Sequence, residues 1–206
     1  MFRVLRAALC ATIALLCAAV ALPAAAAGPP APVVRGGDSL YGAGVSCTVG
    51  FNVRRGNVYY ALVSGACADR SPSWYADPAG TLPVGRTALV GPPSRDFALI
   101  QYTNPAISPV GEVNLLNGGV RDITDAALPV SGQSYCHVGQ VSGLRCGTWT
   151  PQGTACSVPG DIGGPAFSGG TALGLISRSS GVCPAGTTSG YEPVLALLAA
   201  YGLTVY

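Results

Sequence analysis

The sequence predicts an all-β chain with one helix at its C-terminal end, and three observations carry that expectation. The 206 residues are 49% hydrophobic and only 10% charged, with 29 glycines and 17 prolines. Charge is too sparse for disorder, and turn formers are too frequent for a helical bundle. From Val45 onward, short apolar runs alternate with Gly, Pro, Asn and Ser, and no helical periodicity interrupts them before Tyr191.

Taken in order, residues 49–53 alternate with period two, and residues 57–63, 97–102 and 171–177 are of strand length and rich in Val, Ile, Tyr and Phe. Arg55-Gly-Asn57 and Asn117-Gly-Gly119 supply turns between such runs. Several strands of this kind argue for a sandwich or barrel. Residues 191–201 read as the helix, with Pro193 near the start, then Val194, Leu195, Leu197 and Leu198, and Gly202 as the stop.

The N-terminus has a different character. Arg3 and Arg6 precede an apolar run from Ala7 to Leu22 that ends in Pro23 and small residues. Residues 1–27 therefore read as a secretory signal peptide, and residues 28–206 as the exported domain. The run is short for a membrane span, and no other stretch approaches the roughly 20 apolar residues a spanning helix needs. The expected location is extracellular, with no membrane contact once the signal is removed. Cys10 and Cys17 leave with the signal, and the bulky Leu9 and Leu16 before them do not mark a lipidated N-terminus.

Composition also excludes chemistry. All 11 basic residues are arginine, which removes Schiff bases, Ser-Lys dyads and phosphate-loop lysines. There is one histidine, His137. The cysteines at 47, 67, 136, 146, 156 and 183 contain no Cys-x-x-Cys pair, so neither a zinc site nor another cofactor is expected. Six cysteines in an exported chain favour three disulfides, with the pairing left open by counting alone. Loss of Arg3 and Arg6 leaves nine arginines against nine acidic residues, so the formal charge falls from +2 to zero and a nucleic-acid partner has no support.

Three stretches, in register and in order, resemble the chymotrypsin-like serine proteases, in particular their bacterial streptogrisin and alpha-lytic protease branch. They are Cys47-Thr-Val-Gly-Phe-Asn-Val-Arg-Arg-Gly56 with Ser64-Gly-Ala-Cys67, then Arg95-Asp-Phe-Ala-Leu-Ile100, and Pro159-Gly-Asp-Ile-Gly-Gly-Pro165. Tyr191-Glu-Pro-Val and the C-terminal Ala200-Tyr-Gly-Leu-Thr-Val-Tyr206 resemble the same branch. The resemblance implies two antiparallel β-barrels, dividing at about residues 105–125, with a cleft between them. Only nine residues separate Cys146 from Cys156, where that family carries a longer stretch, so the second barrel is expected to be trimmed on one side.

What the resemblance implies about activity is negative. The family's general-base histidine falls on Ala66, its nucleophilic serine falls on Ile162, and only its aspartate remains, as Asp96. A serine hydroxyl is a poor nucleophile until a base takes its proton, and here neither group exists. In a serine protease of another fold, loss of nucleophile or base alone costs about 10⁶ in rate. The oxyanion donors would be the backbone N–H groups of Gly160 and Ile162, but an isoleucine at 162 projects hydrocarbon where the scissile carbonyl would sit.

Other positions follow the same correspondence. His137 occupies the place of an arginine that pairs with the aspartate matching Asp161; it either forms that pair, which would raise its pKa, or faces solvent. Asp96 is expected to be held by Ser177 in a structural role. Ser177-Arg-Ser179 stands where the family has Ser-Gly-Gly, which puts Arg178 along the substrate strand, as drift after loss of activity or as a remodelled groove. The implied disulfides are Cys47–Cys67, Cys136–Cys146 and Cys156–Cys183.

The leading expectation is a secreted, catalytically inactive serine-protease homologue with a peptide or protein ligand. The alternatives are a secreted serine-type endopeptidase using residual or unconventional groups, and a disulfide-stabilised interaction module whose site lies away from the cleft. Nothing in the composition reads on oligomeric state.

Overall fold

In the computed structural model the described residues are 31–150, 153–179, 181, 183 and 189–206. The expected signal peptide, 1–27, lies outside them. Strands β1 (Val33–Gly36), β2 (Ser39–Gly42), β3 (Val45–Thr48), β4 (Phe51–Arg55) and β5 (Val58–Val63) lead into the single helical turn α1 (Gly65–Ala68). β6 (Ser73–Tyr75), β7 (Pro83–Val90) and β8 (Ala98–Tyr102) follow. Seven of these strands form one curled sheet in the order β3-β2-β6-β7-β8-β5-β4.

β9 (Ser108–Asn114) and β10 (Val120–Asp122) connect onward, and β9 lies parallel to β1. The second sheet comprises β11 (Asp125–Ala126), β12 (Ser134–Gly139), β13 (Gly143–Thr148), β14 (Pro165–Ser168), β15 (Thr171–Ser179) and β16 (Ser189–Pro193). Its order is β11-β15-β14-β12-β13, with β16 on β15. Helix α2 (Val194–Tyr201) closes the chain.

Side-chain alternation explains why these strands read as nearly continuous apolar runs. On β5, Ala61 and Val63 point into the first barrel with Trp74 and Ile100, while Leu62 and Tyr60 point the other way. That second face meets Val138, Phe167 and Leu175 from the second sheet and Leu197 and Leu198 from α2, so one core joins both halves. Each such side chain contributes about 1.5–3 kcal/mol when fully buried.

Two boundaries differ from the sequence reading. Tyr191 and Glu192 are strand, paired with Ile176 and Leu175, and Pro193 is the N-cap, so α2 begins only at Val194. Ladder pairing with β15 holds this segment extended up to Pro193. The stop is as expected, since Gly202 adopts φ 61° in the left-handed region that ends helices.

The second sheet ends at β13. Among the described residues no strand joins β13 to β16, and residues 153–157 cross that gap as irregular chain. Thr154 exchanges hydrogen bonds with Thr148, Ala155 N–H donates to the Tyr135 hydroxyl, and Ser189 Oγ donates to the Ala155 carbonyl. Tyr135, Trp149 and Tyr191 pile against one another there, with ring centroids 4.8–5.5 Å apart. No helix of the described residues is long and apolar enough to cross a membrane.

Candidate functional site in the cleft between the sheets

The end of β5 and the turn α1 bring Ser64, Gly65, Ala66 and Cys67 to the mouth of the first barrel. A Cβ on Gly65 would stand 2.8 Å from the Phe97 carbonyl, so glycine allows the loop before β8 to approach. The Cys47–Cys67 disulfide fastens the turn to β3. This approach delivers Asp96 to Ala66. The Ala66 N–H donates to Asp96 Oδ1 at 3.1 Å, and Ser64 Oγ, 1% exposed as a residue, donates to both carboxylate oxygens at 2.9 and 3.1 Å.

From the second sheet comes a 3-10 turn at Pro159–Asp161 followed by Ile162. Asp161 is fully buried and accepts three backbone N–H bonds, from Val141 and Ser142 at 2.9 Å and from Val158 at 2.8 Å. These bonds pin the β12–β13 hairpin over the turn. Gly163 has φ 92°, donates to the Ile176 carbonyl at 2.7 Å, and a Cβ there would stand 3.0 Å from the Thr48 carbonyl. The turn is thereby seated against β3.

Ala66 and Ile162 consequently line one cleft of about 280 Å³, together with Thr48, Ser64, Arg70 and Gln140. Ala66 also borders a second hollow of about 400 Å³ with Asp96, Asp69 and Arg95. Ala66 thus borders both hollows, beside Ile162 in one and beside Asp96 in the other.

The expected oxyanion donors are not both aimed at the cleft. The Ile162 N–H donates to the Pro159 carbonyl at 3.4 Å, because the 3-10 turn closes on itself.

Two sequence expectations need correction. His137 makes no hydrogen bond or ion pair with Asp161. It is fully buried, its Nε2 faces the Cys156 carbonyl at 3.1 Å, and its Nδ1 faces the Tyr191 hydroxyl at 2.6 Å. Asp161 needs no cation because backbone donors already surround its carboxylate. Accordingly the His137 pKa is pushed down to about 4, by burial above all, with the Asp161 charge and the Cys156 carbonyl pulling partly back. Second, Asp96 takes Ser64 rather than Ser177 as its hydroxyl partner.

The exposed Arg178 stands on β15 and is not among the residues that border the hollow of Ala66 and Ile162. It lies opposite Gly190 on β16, where the missing Cβ leaves room for its stem. Ser177 and Ser179 flank it at the end of β15. Among the described residues no group of three or more His, Cys, Asp or Glu side chains is placed to hold a metal ion. All six cysteines among the described residues are in disulfides, Cys47–Cys67, Cys136–Cys146 and Cys156–Cys183. Nothing in the sequence marks Ser64 as the partner of Asp96, although it stands two residues before Ala66.

No protein-family profile matches the chain. It is 37% identical over 191 residues to streptogrisin-A of Streptomyces griseus, covering 84% of this chain and 61% of that protein. It is 36% identical over 189 residues to glutamyl endopeptidase 2 of the same organism, covering 84% of this chain and 100% of that protein. The chain spans about three-fifths of streptogrisin-A, at 61%, and about half of streptogrisin-D, at 48%. Two solved structures have the same two-barrel fold. One is a glutamic-acid-specific serine protease described as using a novel histidine triad in substrate binding, with TM-score 0.79, 36% identity, and coverage of 84% of this chain and 100% of that one. The other is alpha-lytic protease homolog N4, with TM-score 0.73, 41% identity and the same coverage.

Proposed function

The chain belongs to the streptogrisin and glutamyl endopeptidase group of chymotrypsin-like serine proteases, and on that premise we propose that it is a secreted homologue without peptide-bond hydrolysis that keeps the cleft as a peptide- or protein-binding surface. One observation carries the reading. Ala66 and Ile162 border the same cleft, while the Asp96 carboxylate beside Ala66 is held by Ser64 Oγ and the Ala66 N–H.

Acyl transfer to a serine needs a nucleophile, a base to take its proton and donors for the developing oxyanion. A methyl group at 66 takes no proton, and a butyl group at 162 attacks nothing. The Ile162 amide, turned toward Pro159, also weakens any oxyanion site. Ser64 is the hydroxyl nearest a carboxylate, but a carboxylate is too weak a base to activate an alcohol without an imidazole between them. Secretion is supported by the signal-like residues 1–27 and by three disulfides, which persist in oxidising compartments.

The second reading is a serine endopeptidase, and the names of the relatives favour it. The histidine triad described for the glutamic-acid-specific relative has no counterpart here, because this chain has one histidine and it is buried. Fluorophosphonate labelling and casein hydrolysis by the purified exported chain separate the two readings. We expect neither label nor turnover. Stoichiometric labelling, removed by Ser64→Ala or by change of another single serine, overturns the inactive assignment.

A further inference from the structure

We propose that the hollow beside the β2–β3 turn binds the side chain of an arginine carried by an extended polypeptide. The hollow has a volume of about 390 Å³, and its lining includes Tyr41, Ala43, Tyr75, Asp77 and Gly80. Tyr41 on β2 and Tyr75 on β6 are direct cross-strand partners, so both side chains leave the sheet on the same face.

One wall is the hairpin turn itself. Gly42 pairs with Val45 across a two-residue loop in which Ala43 has φ 45° and Gly44 φ 77°. Both central residues are left-handed, as in a type I′ turn, and alanine adopts that conformation at a cost of about 1 kcal/mol. The turn is further seated on β6, since a Cβ at Gly42 would stand 2.5 Å from the Ser73 carbonyl oxygen.

The opposite wall supplies the charge. Asp77 Oδ1 accepts the N–H groups of Thr81 and Leu82 at 3.1 and 2.6 Å, and Oδ2 accepts Thr81 N–H and Thr81 Oγ1, each at 3.0 Å. Three donors, one of them an N–H shared between both oxygens, thus take up most of the roughly four acceptor positions of a carboxylate. The Thr81 N–H foremost holds the Asp77 carboxyl below its ordinary range; burial, second in size, opposes it, and the Leu82 N–H and the Thr81 hydroxyl add to the lowering. Among the described residues no cation lies within ion-pair distance of it; the ion pairs are Arg35–Glu112 and Arg95–Glu192. Asp77 therefore carries an unneutralised charge with little acceptor capacity to spare.

That combination selects by charge rather than by hydrogen bonding. A guanidinium is planar and weakly hydrated, lies over tyrosine faces, and gains from a nearby anion without needing a free acceptor. A sugar, by contrast, would need acceptors that Asp77 has already given to its own loop. The ligand is assigned to a polypeptide because Val45 and Ser46 line both this hollow and the cleft that contains Ala66 and Ile162. That assignment rests on the peptide-binding reading of the cleft.

The test titrates the ¹⁵N-labelled exported chain with N-acetyl-arginine methylamide and with its neutral isostere, N-acetyl-citrulline methylamide. Arginine should move the amides of residues 42–46 and 76–82 saturably, at least about fivefold more tightly than citrulline, and should weaken several-fold as salt rises from about 20 to 300 mM. Asp77→Asn should abolish the preference. Because Asp77 also holds its own turn, Tyr75→Leu is the second variant, expected to weaken arginine several-fold while the 76–82 amides keep their free-state positions. Equal response to both amides, saturation elsewhere, cellobiose acting where arginine does not, or indifference to Tyr75→Leu overturns the proposal. The single-residue probe reads the hollow alone, whereas labelling and casein assays read the cleft, so either reading can fail without the other.

Discussion

Ser64 gives its hydroxyl hydrogen to a carboxylate that has no imidazole beside it, and this determines how the site responds to substitution. Asp96 is half-buried, and besides Ser64 its donor is the Ala66 N–H. Ser64→Ala removes one of these and leaves a polar group short of partners, which costs about 1–3 kcal/mol. A fall in the urea midpoint with unchanged slope is the expected reading, and a midpoint within error of the parent would refute it. Restoring chemistry is the harder test. Ala66→His with Ile162→Ser returns base and nucleophile, yet the new imidazole must compete with Ser64 for Asp96. An imidazole held in the wrong tautomer loses about 10⁴ in rate. The triple variant that adds Ser64→Ala should therefore react with a fluorophosphonate at least about tenfold faster than the double, with no reaction in the parent. A double variant as fast as the triple would show that Ser64 does not compete. The sequence made Ala66, Asp96 and Ile162 legible because short motifs carry them. Ser64 was invisible because its partner is 32 positions away, and only the closeness permitted by Gly65 joins them.

The hairpin β12–β13, the 3-10 turn and β16 act together around His137. Its Nε2 faces a carbonyl, which only accepts, so Nε2 carries the proton and Nδ1 accepts from Tyr191. Tyr191 in turn accepts from Tyr135, 2.8 Å away, and Tyr135 accepts the Ala155 N–H at 3.1 Å. The bonds all run one way, and a second proton on His137 would leave a buried hydroxyl hydrogen without an acceptor. The sign of the pH dependence follows. The unfolded chain binds a proton near pH 6.5 and the folded chain only near 4, so the unfolded state holds more protons in between and stability falls as pH drops through that window. The full loss is on the order of 3 kcal/mol, complete at about pH 4. Denaturant midpoints between pH 7 and 4 should show this slope, and His137→Gln should flatten it; an unchanged slope in the variant would place the titration elsewhere. Here sequence reasoning misjudged an element rather than a motif. It matched His137 to Asp161 by position, whereas Asp161 is supplied by the backbone of the hairpin turn and His137 by a tyrosine 54 residues later. Backbone donors leave no trace in a pattern of side chains.

At the scale of the whole molecule, the two sheets are bound by one core and not merely placed side by side. Phe51, Leu62 and Leu99 of the first half meet Val138, Phe167 and Leu175 of the second, and Leu197 of α2 is buried in the same cluster. Arg95, beside Asp96, forms an ion pair with Glu192 of β16 on the rim. A shared core makes unfolding of one half expose the other, so a single cooperative transition is expected. The chain carries two tryptophans, one in each half. Trp74 is fully buried in the first sheet and donates to Thr87 Oγ1 at 2.9 Å, whereas Trp149 packs on Tyr135 and Tyr191 in the second. Trp74→Phe and Trp149→Phe each leave one reporter. Adding Leu197→Ala to either background should lower its denaturant midpoint by the equivalent of about 2–5 kcal/mol, the range for emptying a buried leucine site. The decisive quantity is the match between the two shifts, because α2 touches the common core and neither reporter. Equal shifts mean that the cleft walls stay in register until the molecule unfolds as a whole, as a rigid binding surface requires. A shift seen by Trp149 alone would mean that the second sheet opens first, and the cleft would then be a transient feature of the fold.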